Sequence, residues 1–340
     1  MKGFLKVLAW VLITPAMLAL GWLFAAFVLN AFDEQLPAQA AHLMEPVVIG
    51  PDVLANDNGF LIAVGLSAPN GMRAQDYGRA LVERRFSGDE RPGRSMEADQ
   101  IYAVIECNPL ASLVNCVRVL GGRRDAVQAA LAAYAEVDAD YARLLVAPRY
   151  LAAGTLPSAE APLPAFQWLV RAAVRENDRI MLGAIAEPAA TVAQRIERKL
   201  AQERRMLAGA DTLVHKMIAV AVLRRTLATV AHVIAEAPAV AKELLGLQAL
   251  TTPLSGTELS MTRVFEFEQR FLVHTLLERT APWQDYSAGS ADEPAWSGRV
   301  GDWFAARLYR RNETARINLE WVQALDRWCS TQIGRMAAGQ

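Results

Sequence analysis

From residue 7 to residue 32 no charged side chain interrupts a run rich in Leu, Ala, Phe and Val. A helix of these 26 residues would extend ~39 Å, more than the ~30 Å that a bilayer's hydrocarbon core requires. The pattern therefore predicts a transmembrane helix over residues 7–32, and Thr14 and Pro15 within it need only a local kink. A cleaved secretory signal is the rival reading. Its apolar stretch would normally be ~7–15 residues long, although Ala38-Gln39-Ala40 offers a small-residue cleavage pattern. A buried core helix is a third and weaker reading. Lys2 and Lys6 precede the run, whereas Asp33 and Glu34 follow it. Positive residues stay on the cytoplasmic side, so residues 1–6 are expected to be a cytoplasmic tail, with the rest of the chain beyond the span lying outside the membrane.

After the span the periodicity changes several times. Residues 33–58 show no clear period and read as a tether. Residues 59–66, GFLIAVGL, form a short apolar run between turn signals. This predicts a buried strand, with residues 101–106 as its partner and a short helix over 74–86 between them. Residues 87–94 read as a loop. Over residues 124–146, Val127, Leu131, Tyr134, Val137, Tyr141 and Leu145 recur at three- and four-residue steps, the mark of one helix face. Four prolines and a glycine break residues 147–164. Further helices are expected over 166–185, from Pro188 onward with Val192, Ile196, Leu200 and Leu207 inside, over 210–236, from Ser255 to Arg279, and as one helix or a pair over 303–336. Residues 281–299 read as a polar loop. The fold class is therefore mainly α: a transmembrane helix, then an irregular helical bundle with a small β-hairpin or α/β element near its start. Residues 59–150 and 165–338 form either two regions or one domain.

Composition narrows the function classes. Of 340 residues 53% are hydrophobic and 21% charged, a globular balance. The 35 basic and 36 acidic residues give a net charge of -1, without the basic excess that nucleic-acid binding would favour. No phosphate-binding loop, dinucleotide fingerprint, HExxH helix or GxSxG elbow occurs, so no cofactor is implied. The second face of the helix after Pro188 carries Arg195, Glu197, Arg198, Lys199, Glu203, Arg204 and Arg205. It reads as a solvated face with internal ion pairs, or else as a contact for anionic headgroups or an acidic partner.

Cys107 and Cys116 lie nine apart in CNPLASLVNC. A helix starting at Asn108-Pro109 would hold them ~13 Å apart, too far to bridge. A disulfide thus requires residues 108–114 to form a reversing loop, with the helix starting near Cys116, and that arrangement is the expectation. Cys329 reads as a buried free thiol or an intermolecular partner. The four histidines, His42, His215, His232 and His274, are scattered and do not gather into a metal site.

Two further groups could carry chemistry. Ile317, Trp321, Leu325 and Trp328 step along a helix as a core face would, whereas Trp283 and Trp296 flank the polar loop and are candidates for a surface contact. His232 with Glu236, and Glu268 with His274, form a candidate polar cluster. A general-base or metal role would need these residues to converge, and single hydrogen-bonded histidines are the simpler reading.

NDNGFLIAVGLSAPNG followed by Asp76-Tyr77-Gly78, the cysteine pair, YARLLVAPRY and RRNETARINLEW together resemble single-span, periplasm-facing envelope proteins of proteobacteria. The resemblance implies an inner-membrane protein with a periplasmic domain, and carries over no activity or site residue. Three functions follow as expectations. The first is an anchored binding or assembly protein, with the bilayer as one partner through residues 7–32 and another envelope protein as the second. The alternatives are an envelope hydrolase or transferase, and a periplasmic immunity protein.

Overall fold

The computed structural model describes residues 38–86, 93–94, 107–153, 155–157, 164–278 and 311–337, with scattered positions between Thr14 and Gln35. The positions described between Thr14 and Val28 are helical and exposed, among them Leu18, Trp22 and Phe24. The rest of the predicted span, and residues 101–106, lie outside the described residues. The chain divides into two compact units. One holds Met1–Pro46, Pro157–Ala159 and Gln269–Leu325, the other Val47–Leu156, Glu160–Glu268 and Asp326–Gln340.

In the first unit, helix α1 (Ala38–Leu43) lies within the stretch read as a tether. Its Ala40 and Leu43 form a small core with Val273 and Leu319. Arg270 donates to the carbonyls of Leu43 at 3.3 Å and Glu45 at 3.2 Å.

The second unit starts with a correction. Where the apolar run predicts a strand, residues Gly59–Gly65 form a helix, α2, buried along its whole length. No strand occurs among the described residues. Asn58 decides the matter: its Oδ1 caps α2 by accepting from the Phe60 amide at 3.2 Å. It also accepts from Leu151 N at 2.9 Å, while its Nδ2 donates to the carbonyls of Val53 and Leu151. A run surrounded on every side by core has neither period, so periodicity could not separate helix from strand.

Helix α3 (Ala74–Glu83) packs on α2 through backbone contact. A Cβ added to Gly65 would stand 1.8 Å from the Ala74 carbonyl oxygen, and one on Gly78 would stand 1.8 Å from that of Leu61. Helix α4 (Cys116–Gly121) begins at the second cysteine, as the bridge requires. The expected single helix over 124–146 is broken into α5 (Arg124–Ala132) and α6 (Ala135–Leu145).

Three long helices follow: α7 (Phe166–Ala186), α8 (Ala189–Gly209) and α9 (Leu213–Glu236). Short connections fold them back on one another, and α9 packs on both α7 and α8. Helix α6 and α2 pack together and against α7, and α4 sits against α7 and α9. Around α8 lie α10 (Pro238–Leu244), α11 (Gln248–Thr251) and α12 (Gly256–Leu259), the last opened by a capping box of Ser255 and Glu258. Two helices complete the described chain, α13 (Thr262–Glu278) and α14 (Arg311–Ala337).

Among the described residues one helix, α9, is long and apolar enough by length and composition to cross a membrane. The expectation for α14 fails: the Ile317, Trp321, Leu325, Trp328 face is exposed, Trp321 by 67% and Trp328 by 60%. A different face of α14, carrying Ala315 and Leu319, is the buried one.

The α2–α3 contact has no room for a side chain. Gly78→Val is expected to destabilise the folded domain by about 3 kcal/mol or more, read as a lowered midpoint in urea unfolding. An unchanged midpoint would contradict the backbone contact.

Candidate functional site

The charged face after Pro188 is not a solvated one throughout. It is set on α8 so that Lys199, Gln202 and Glu203 point into the bundle, and Lys199 is fully buried. Its Nζ lies 2.8 Å from Glu203 Oε1 and donates to Tyr141 OH and the Ala173 carbonyl, each at 3.1 Å. The Thr226 hydroxyl on α9 donates to the same Glu203 oxygen at 2.9 Å. One ion pair thereby touches α6, α7, α8 and α9. Burial works against the Lys199 ammonium, yet Glu203 beside it holds its pKa above the ordinary lysine range. Burial pushes the Tyr141 phenol up to about 12.

Next to this network Asp178 is buried on α7, with Arg225 nearby and no hydrogen bond to its Oδ2. Burial raises its pKa to about 8, and the surrounding cations only partly oppose the shift.

A cleft of about 620 Å³ opens on the other side of α7. One wall comes from α5 and α6: Leu131, Ala132, Ala135, Ala139, Ala142 and Leu145. The facing wall, from α7 and α8, carries Glu176, Arg179, Glu187, Arg195 and Arg198. Asp138 of α6 joins the walls: its Oδ1 accepts from Arg175 Nε at 2.7 Å, and its Oδ2 accepts from Arg179. Arg195 pairs with Glu187 at 3.1 Å. Glu176 is largely buried between two cations, ion-paired with Arg179 and Arg195, each 3.6 Å away. Burial raises its pKa, with Lys199, Arg195 and Arg179 opposing. Arg198 is exposed, has no carboxylate partner among the described residues, and reaches only its own helix at the Gln194 carbonyl.

The residues singled out in the sequence fall elsewhere. Cys107 and Cys116 are bridged, with Cα atoms 5.5 Å apart. The loop is clasped to the end of α9: the Cys116 amide donates to His232 Nδ1 at 3.3 Å, which leaves the proton on Nε2 to be donated to the Pro109 carbonyl at 3.1 Å. Asn115 donates to the His232 carbonyl, and Glu236 accepts two bonds from Arg118, both 2.9 Å. His232 and Glu236 are thus joined to the disulfide loop. Glu268 accepts from the Leu213 amide at 3.1 Å, at the opposite end of α9, ~28 Å along the axis from His232 at ~1.5 Å per residue. His274 lies six residues further along α13, in the first unit. The expected cluster does not converge. Cys329 is a free thiol of intermediate exposure, and Trp283 and Trp296 lie outside the described residues. No group of three metal-ligating side chains occurs among the described residues.

One further set escaped the sequence. Tyr150 OH lies 2.8 Å from His215 Nε2, and Phe166 stacks on that imidazole at 4.8 Å between centroids. Both polar groups are buried, and with Phe60 against the same imidazole the set is part of the packed core.

Removing only the cation of the central pair strands a buried carboxylate. Lys199→Met is expected to cost about 3–5 kcal/mol, and much of that loss should return when Glu203→Leu is added. Urea unfolding of both variants checks the order. Asp178 adds a pH dependence. The native carboxyl keeps its proton up to about pH 8, whereas an ordinary one loses it near 3.8. Ionisation in the unfolded chain therefore draws the equilibrium toward unfolding as pH rises between these values. Asp178→Asn should match the parent near the lower bound and exceed it increasingly toward the upper, by up to about 1.4 kcal/mol per pH unit. A difference that ignores pH would refute the assignment.

Comparison of the chain with protein-family models, with curated proteins and with solved structures finds no match, so its function is read from its own geometry.

Proposed function

We propose that this chain is a membrane-anchored periplasmic binding protein, held by residues 7–32, that presents the α5–α8 cleft to another envelope protein. The observation that carries the reading is the two-sided chemistry of the cleft. A wall of exposed alanines between Leu131 and Leu145 faces a wall whose arginines and carboxylates are largely bonded to one another. A surface that offers an apolar strip beside fixed charges is built to hold a shape, as peptide-binding grooves are. The Cys107–Cys116 bridge supports an oxidising compartment, and Lys2 and Lys6 ahead of the apolar run support a cytoplasmic N-terminus.

Glu176 gives an envelope hydrolase or transferase its best support, since a buried carboxyl with a raised pKa can act as a general acid. Such chemistry needs a second group to activate water or a nucleophile. Asp138, the nearest carboxylate on the facing helix, has both oxygens engaged by Arg175 and Arg179. The binding reading therefore stands first.

Site-specific photocrosslinking in the living cell tests it. A benzophenone amino acid at Ala139, in the cleft, should give a discrete protein adduct; the same group at exposed Arg224 on α9 should not. Ala135→Trp, which narrows the cleft, should remove the adduct. Equal adducts at both positions, or none at Ala139, would overturn the proposal.

A further inference from the structure

We infer that the exposed tryptophan face of α14 lies in the headgroup region of the bilayer that holds residues 7–32, as a second, peripheral contact with the membrane. This rests on the anchored half of the reading above and is independent of the cleft.

The face itself is the first observation. Ile317, Trp321, Leu325 and Trp328 fall within ~80° of arc and ~16 Å of length on one helix. Their exposure runs from 42% at Ile317 to 67% at Trp321. Exposed Glu320, Arg327 and Thr331 border the stripe along one edge. Ala315 and Leu319, on a different face, are buried. An apolar stripe beside a polar border suits a helix lying in the plane of an interface, with its apolar side ~5–10 Å deep. Tryptophan sharpens the match. Its ring is apolar, yet its indole N–H needs an acceptor on leaving water, and lipid carbonyls and phosphates supply one.

The second observation is where the chain fastens this helix. Leu319 packs with Ala40 and Leu43 of α1, in the same compact unit. Gln323 donates to Gln39 Oε1 at 3.1 Å. Arg270 of α13 holds the carbonyls at the end of α1, those of Leu43 and Glu45. Gln39 follows the last residue of the apolar run, Phe32, by seven positions, which is at most ~25 Å of chain. Helix α14 is therefore tied within about that reach of the point where the chain leaves the predicted span.

The tether decides between occupants. A surface held within reach of its own chain is met at high effective concentration, so even weak insertion keeps the contact closed. A second copy or another protein would have to displace a lipid surface already beside the face.

The test uses the full chain in phosphatidylcholine nanodiscs, so that no anionic headgroup contributes. Cys329→Ser removes the free thiol, and the bridged Cys107 and Cys116 take no label. A nitroxide is then placed singly at Leu325→Cys, Glu320→Cys or Val28→Cys. Electron paramagnetic resonance power saturation compares relaxation by oxygen, which concentrates in lipid, with relaxation by a water-soluble nickel chelate. Oxygen should dominate at Leu325 and at Val28, and the chelate at Glu320. Trp321→Ser with Trp328→Ser should shift Leu325 to the aqueous order, leaving Val28 and the circular dichroism spectrum unchanged. Trp321→Tyr with Trp328→Tyr, which keeps amphipathic rings, should retain the lipid order.

An aqueous order at Leu325 in the parent chain would overturn the inference. If Val28 still reports lipid, the anchor stands without the α14 contact; if Val28 is aqueous too, both readings fall. Low access of both reagents to Leu325 would assign the face to a protein cover. Spectral broadening at Leu325 that fades on dilution with unlabelled chain would assign it to a second copy. Either result overturns the inference, as does a lipid order that survives the serine pair.

Discussion

The arrangement of the large unit depends on one buried ion pair. Lys199 and Glu203 are four residues apart on α8, and neither reaches water. Such a pair seldom adds net stability, because desolvating two ions costs about as much as their attraction returns. What it does impose is position. The ammonium has three protons, and Glu203, Tyr141 and the Ala173 carbonyl take them. A shift of α6, α7 or α8 by one turn would take Tyr141 or the Ala173 carbonyl away and leave the buried ammonium short of an acceptor. An apolar core would tolerate that slip far better, since leucine packs acceptably in several registers.

The cleft follows from that constraint. With α6 and α7 held to α8 from inside, Asp138 on the outer side of α6 meets Arg175 and Arg179 of α7. These bonds join the two walls of the groove, while the Glu187–Arg195 pair fixes the junction between α7 and α8. The groove is thereby built from rigid helices, and its charged residues are held by bonds to one another. A groove fixed in this way would lose little freedom on binding, as the proposed function requires.

The helices were legible where the physics is local. Proline before α8 and the serine–glutamate capping box at α12 mark their starts in sequence, and the cysteine spacing required the turn now seen before α4. Gly59–Gly65 was misread because a fully buried segment carries no period. The Lys199–Glu203 pair was misread for a related reason: at a spacing of four, a core ion pair and a surface one look alike. One signal did exist. Arg175, Glu176, Asn177, Asp178 and Arg179 are consecutive, and five residues at ~100° each go more than once around a helix. Some of them had to face inward, so a polar interior at α7 was implied, though not its partners. The exposed tryptophans of α14 err in the other direction, since apolar spacing identifies a face but says nothing about what covers it.

Helix α9 shows how polar bonds tie an apolar helix to a folded domain. Its length and apolarity would suit a bilayer as well as the run at residues 7–32 does. The difference lies in its polar residues. His215, Lys216, Thr226 and Thr229 are buried against protein, and the Lys216 ammonium donates to the carbonyls of Leu207, Glu258 and Ser260. Burial lowers its pKa to about 8, with Glu258 opposing, yet at neutral pH the charge is kept because those three acceptors surround it. In lipid the same groups would have no partners and would cost several kcal/mol. Glu268 holds the first turn of α9, and His232 with Glu236 ties its last turns to the disulfide loop. A segment hydrophobic enough to enter a membrane is thus committed to the folded domain by polar bonds along its length, whereas residues 7–32 contain no charged residue to oppose insertion.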